Sequence, residues 1–107
     1  MKDSIESDED WKLIGMLVTS RIKRDMVQLL ARPTSPTQIR KELGITSSYA
    51  SNVFRVLESS GLIRNLTPDV RKGRLFISTE KGQLLLKEAE TIHKRGDFGP
   101  KNSNVPE

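Results

Sequence analysis

The chain has 107 residues, enough for one domain with one modest core. It is 35% apolar but only 5% aromatic, so Leu, Ile and Val must supply that core, and it has no cysteine, which excludes disulfides, thiolate metal sites, thiol redox sensing and cysteine nucleophiles. The formal charge is +4 with a pI near 9.6; no apolar run is long enough for a membrane span, and the acidic N-terminus lacks an apolar signal region, so a cytoplasmic location is the expectation.

Met1 to about Ser7 is acidic and reads as a disordered tail. Asp8 can cap a helix that carries Trp11, Leu13, Ile14, Leu17 and Val18. Thr19 and Ser20 look like a break or an N-cap, and from Ser20 to Ala31 the apolar residues Ile22, Met26, Leu29 and Leu30 fall at helical spacing. Two helices and one bent helix both satisfy this pattern. Pro33 disfavours a helical residue before it and closes the segment.

Ser35-Pro36-Thr37-Gln38 joins two start signals: Ser35 suits the N-cap with Gln38 completing a capping box, and Pro36 suits the first helical position. Ile39 and Leu43 give that short helix its apolar pair, and Gly44 ends it as a left-handed residue. Ile45 plugs the turn, and Thr46 is an N-cap for the next helix, about Thr46 to Ser60. There Ala50, Val53, Val56 and Leu57 line one side, while Ser48, Tyr49, Ser51, Asn52 and Arg55 point elsewhere. Gly61 stops it.

Leu62 to Leu66 reads as a short strand, Thr67-Pro68-Asp69 as a turn, Val70 to Arg74 as a basic tip, and Leu75 to Ser78 as the return strand. Thr79 caps a last helix with Leu84, Leu85, Leu86, Ala89 and Ile92. From Arg95 the chain is rich in Gly, Pro and Asn and reads as a second disordered tail. The expected organisation is therefore tails at 1–7 and 95–107 around one domain at 8–94.

Helix, short helix, glycine turn, helix, hairpin, helix is the order of a winged helix-turn-helix. The fold class expected is α+β, mostly α, with a two-stranded wing and flanking N- and C-terminal helices. The chain also resembles the small archaeal winged-helix transcriptional regulators, relatives of the MarR and ArsR groups. The resemblance runs from about Leu17 to Ala89. It rests on Ser35-Pro36-Thr37-Gln38-Ile39, on Glu42-Leu43-Gly44-Ile45-Thr46, on Val53 with Val56 to Ile63, and above all on Arg71-Lys72-Gly73-Arg74-Leu75-Phe76 followed by Thr79-Glu80-Lys81-Gly82. It implies sequence-specific binding of double-stranded DNA and regulation of transcription.

The charge distribution is consistent with that partner. Residues 1–10 carry a net −4, while Arg21 to Arg74 hold 11 basic side chains against Asp25, Glu42, Glu58 and Asp69. A concentrated positive field favours a polyanion. A recognition helix needs small or polar residues near its start so that its backbone can approach the major groove. Ser47, Ser48, Ala50 and Ser51 are small, and serine hydroxyls and helix amides can hold phosphates. Asn52 can pair with adenine, Arg55 with guanine or a phosphate, and Tyr49 can stack, pack on a thymine methyl or donate to a phosphate. The competing view of this face is plain solvation. Arg71, Lys72 and Arg74 around Gly73 can straddle a backbone or enter a minor groove, or simply solubilise a hairpin. Arg40 and Lys41, on the exposed face of the short helix, can cross the phosphates or be solvated. Phe54 reads as core or as packing under the wing, with contact to DNA as the lesser alternative.

No enzymatic constellation is present: His93 lacks a partner at ligand spacing, and there is no phosphate-cradling glycine loop. No cofactor is expected, and a small-molecule effector is left open. A homodimer would draw on the terminal helices around Trp11, Leu13, Ile14 and Leu17 with Leu84, Leu85 and Ile92, although the same residues could complete a monomer's core. Two other classes compete with duplex binding. One is a winged helix that uses the Ser47 to Arg55 face on a protein partner; the other is RNA or single-strand binding, for which Tyr49 alone supplies a stacking ring.

Overall fold

The computed structural model describes residues 8–95; the segments 1–7 and 96–107, read above as parts of tails, lie outside them. Five helices and one hairpin follow in order: α1 (Asp8–Thr19), α2 (Arg21–Leu29), α3 (Pro36–Leu43), α4 (Ser47–Ser59), β1 (Ile63–Asn65), β2 (Phe76–Ser78) and α5 (Glu80–Arg95).

The open question at residues 19–20 resolves as two helices. Ser20 is extended at φ −125° and its side chain accepts from the Lys23 amide, so α2 has its own N-cap. Arg24 then closes α1 from outside. Its Nη1 donates to the carbonyls of Leu17 and Val18, placing a cation on the last-turn oxygens that α1 cannot satisfy itself.

Helix α2 ends at Leu29, earlier than Pro33 requires. The carbonyls at this end are taken by the returning strand: the Ser78 amide donates to Leu30 O at 2.7 Å, and its hydroxyl to Val27 O. The end of the helix is thus set by a non-local pairing, with the proline downstream of it.

The N-caps read at Ser35 and Thr46 form, accepting from the Gln38 and Tyr49 amides at 3.1 Å each. The reciprocal half of the capping box does not: the Gln38 side chain donates forward to Glu42 at 3.3 Å. Gly44 adopts φ 65°, the left-handed geometry that lets α3 turn sharply into α4.

The hairpin is antiparallel, pairing Ile63 with Ser78, Arg64 with Ile77 and Asn65 with Phe76. One feature has no local signal in the sequence. Thr34, in the α2–α3 connection, exchanges two backbone hydrogen bonds with Phe76, at 3.0 and 2.9 Å. Phe76 is therefore held between β1 and the segment just before α3, which fixes the base of the wing to the helix-turn-helix.

The core is aliphatic, as composition requires. Ile14, Leu17, Met26, Val27, Leu30, Ile39, Leu57, Leu62, Ile63, Leu85 and Ala89 are almost wholly buried, with Phe54 and Phe76 as its aromatic members. Helix α1 packs against α5 and α2, and α2 also against α3. This core takes up most of the apolar residues named for a dimer. Leu13, Ile14, Leu17, Leu85 and Ile92 all lie inside the monomer's own core, and of the residues named only Trp11 (48%) and Leu84 (40%) stay exposed. Among the described residues no helix is long and apolar enough to cross a membrane.

Candidate nucleic-acid interface

Helix α4 stands as a ridge between two depressions. On one side, a groove of about 400 Å³ runs between α3, α4 and the base of the wing, and Arg40, Arg55, Arg74 and Glu58 border it. On the other side, a notch of about 100 Å³ lies between α4 and α2, bordered by Lys23, Tyr49, Asn52, Val53 and Val56. Helical geometry explains the division. Ser47, Ser51 and Arg55 repeat every four residues and share the groove side, whereas Tyr49, Asn52, Val53 and Val56 follow the i, i+3, i+4, i+7 pattern of the opposite flank.

The residues proposed from sequence therefore separate into sets. Arg40, Ser47, Ser51, Arg55 and Arg74 meet at the groove, with Pro36 and Thr37 from the first turn of α3. Tyr49 and Asn52 meet at the notch, and Tyr49 is 45% exposed. Ser48 is exposed on α4 and borders neither depression. Lys41 is exposed on α3 but away from the groove, and Arg71 and Lys72 are exposed at the wing tip, where Gly73 takes φ 70°.

The wing cations are not one cluster. The Arg74 guanidinium carbon sits 5.8 Å from the Phe76 ring centroid, a cation–π placement that holds it at the groove. Phe76 in turn meets Phe54 of α4 edge-on, ring centroids 4.9 Å apart and planes at 70°. Phe54 is thus both a core residue and packed under the wing. The stack Phe54–Phe76–Arg74 thus ties α4 to the base of the wing along the wall of the groove.

A second device shapes the wing loop. Asn65 Oδ1 accepts from the Thr67 amide at 2.8 Å, and Thr67 Oγ1 accepts from the Leu75 amide at 2.9 Å across the loop. The Leu66 amide donates to Leu75 O at 2.8 Å. Thr67→Val removes the acceptor while keeping the shape. It should cost about 0.5–1.5 kcal/mol and speed hydrogen exchange at the Leu75 amide; an unchanged exchange rate would show that Thr67 does not hold the loop.

Electrostatics leave the interface available. Among the described residues the ion pairs are Arg21 with Asp25 at 3.5 Å and Lys81 with Asp10 at 3.4 Å. Neither involves Arg40, Lys41, Arg55, Arg71, Lys72 or Arg74. Glu58 borders the same groove as three arginines and is ion-paired to none of them. Among the described residues the side chains of Ser47, Ser48, Ser51, Asn52 and Arg55 make no hydrogen bond, and all five residues are exposed. No group of three His, Cys, Asp or Glu among the described residues could hold a metal.

No protein-family model matches the chain, and no curated protein matches it. Solved structures do. One is a cysteine-to-serine variant of MarR from E. coli complexed with operator DNA: 16% identity over 81% of this chain and 68% of that one, TM-score 0.61. A second is a variant of ZitR from Lactococcus lactis in complex with DNA: 22% identity over 71% of this chain, TM-score 0.58. A third is RV1404 from Mycobacterium tuberculosis: 17% identity over 91% of this chain and 80% of that one, TM-score 0.55. The match spans about half of the ZitR chain, 53%. What is shared is the fold, a mostly helical winged helix-turn-helix with a two-stranded wing.

Proposed function

We propose that residues 8–94 bind double-stranded DNA in a sequence-specific manner and act as a transcriptional regulator. Helix α4 enters the major groove, with Asn52 and Arg55 reading base edges and Ser47, Ser48, Tyr49 and Ser51 approaching bases and phosphates. Arg40, Lys41, Arg71, Lys72 and Arg74 engage the backbone, with the wing tip on the phosphates or in the minor groove.

The observation that carries this reading is the basic groove beside α4. Three arginines converge there from α3, α4 and the wing without an acidic ion-pair partner. Cations brought together from three elements are costly to hold near one another unless a polyanion neutralises them. Near its start the helix also exposes the short side chains of Ser47, Ser48 and Ser51, which suits close approach to the major groove. MarR and ZitR, which share the fold, have been captured with DNA, which gives the reading further support.

Selection of binding sites from random duplexes tests it. A recurring site should emerge, and its affinity should persist near physiological salt. Affinity no tighter than about 10⁻⁴ M and indifferent to sequence would overturn it in favour of a protein-contact module. If the selected site contains two half-sites, their spacing reports whether two copies bind side by side; of the terminal-helix residues named for such a dimer, Trp11 and Leu84 are the ones the monomer leaves exposed.

The backbone contacts have their own signature. Replacing Arg40 and Arg74 together by Ala should lower the log–log salt slope by about 1.8, at roughly 0.9 per neutralised phosphate, and weaken all sequences alike. An unchanged slope, or a loss confined to the preferred site, would remove these two residues from the phosphate-binding set.

A further inference from the structure

Lys23 occupies a position where the helical pattern asks for an apolar residue. On α2 it precedes Met26, Val27 and Leu30 by three, four and seven residues, so it extends the stripe that is buried in the core. A cation that breaks the apolar stripe of an otherwise regular helix marks a site kept for something other than packing. Its place supports this. Lys23 is half-buried and borders the notch on the far side of α4 with Tyr49, Asn52, Val53 and Val56. It has no ion-pair partner among the described residues.

The recognition helix makes the asymmetry informative. A helix with its side chains is about 10–12 Å across and the major groove about 12 Å wide, so a seated helix has a sugar-phosphate wall on each flank. On one flank of α4 stand Arg40, Arg55 and Arg74. On the other, Lys23 is the single cation that borders the notch. A lysine at the edge of an apolar wall can lay its stem along it and keep its ammonium in water, at the level of the Tyr49 and Asn52 side chains.

We propose that Lys23 binds a backbone phosphate of the duplex on the α2 side of α4, opposite the wall met by the arginine groove. The assignment rests on the reading of α4 as a DNA-recognition helix and extends the interface onto α2, the helix that buries Met26 and Val27 in the core. Lys23 positions the recognition helix between two phosphate walls; it does not read bases.

The test uses the full chain and a duplex obtained by selection. Lys23→Met removes the charge and restores the apolar stripe, so the fold is kept. Its thermal midpoint should equal or exceed that of the wild type, while the salt slope falls by about 0.9. Across about 50–200 mM salt the wild type should then lose roughly 3.5-fold more affinity than the variant. Lys23→Arg should keep the wild-type slope. Lys87→Gln on α5, which borders neither depression, removes the same charge and should leave the slope unchanged. A single methylphosphonate on the α2-side strand should weaken the wild type and not Lys23→Met. If Lys23→Met and Lys87→Gln shift the slope equally, or neither shifts it, Lys23 makes no phosphate contact although duplex binding stands. If the wild type selects no duplex at all, the functional reading falls and the Lys23 assignment with it.

Discussion

Gly82→Ala should destabilise the domain by about 1–3 kcal/mol, the usual range for an overpacked site. Helix propensity alone gives the opposite sign, since alanine is favoured over glycine in a helix by about 0.5–1 kcal/mol. The steric term wins because of what the added methyl meets. A Cβ on Gly82 would stand 2.1 Å from Leu62 O and 3.0 Å from Leu62 C. These are backbone atoms of a residue whose side chain is fully buried. The same carbonyl accepts from the Thr79 amide at 3.0 Å, and Thr79 Oγ1 donates to Gly61 O while accepting from the Gly82 amide at 2.9 Å. Neither side of the contact can move without breaking that ring of hydrogen bonds. Urea denaturation checks the claim: the midpoint should fall with little change in slope, whereas a rise would mean that the α4–β1 turn yields freely. The contact also sets where β1 leaves α4, so a variant that still folds should present the wing less accurately.

Much of the frame is local in origin and was readable for that reason. An N-cap is one side chain on one amide, so Ser35, Thr46 and Thr79 announced three helix starts within a few residues each. Gly44, Gly61 and Gly73 take positive φ where the chain must turn. What escaped is non-local. Pairing between Thr34 and Phe76 uses backbone groups that every residue carries, so nothing in the side chains announces it. Gly82 entered the reading of the sequence only as part of the Thr79-Glu80-Lys81-Gly82 stretch, because the atom it must avoid, Leu62 O, lies twenty residues away.

Burial shows the same limit. Periodicity found the apolar stripes of α1 and α5, but a stripe does not say whether the same chain or a second copy covers it. Packing of α1 on α5 and α2 consumed Leu13, Ile14, Leu17, Leu85 and Ile92, because a small domain with few aromatics needs each aliphatic side chain it has. At the candidate site, sequence could group Arg71, Lys72 and Arg74 by proximity alone. The Phe76 ring draws Arg74 back to the groove and leaves the other two at the tip, a division that requires knowing which face of β2 looks toward α4. Lys23, by contrast, was legible in principle: a lysine three residues before Met26 breaks the stripe in the sequence itself.

Asn52→Ala and Arg55→Ala should each reduce discrimination between the selected site and a site changed at one contacted base pair by about 1–3 kcal/mol. The geometry adds a sharper expectation. The two residues are three positions apart on α4 but border different depressions, Asn52 the notch beside α2 and Arg55 the groove beside the wing. Side chains that leave a seated helix on opposite flanks reach different base pairs. Each variant should therefore lose discrimination at its own position and keep it at the other, and the double variant should lose both losses summed to within about 0.5 kcal/mol, as for sites without a shared partner. Competition binding against a panel of single-base changes measures this. Loss at one shared position would mean that the two side chains act on a single base pair. Uniform weakening across the panel would place both on phosphates and leave the source of sequence preference to Ser47, Ser48, Tyr49 and Ser51.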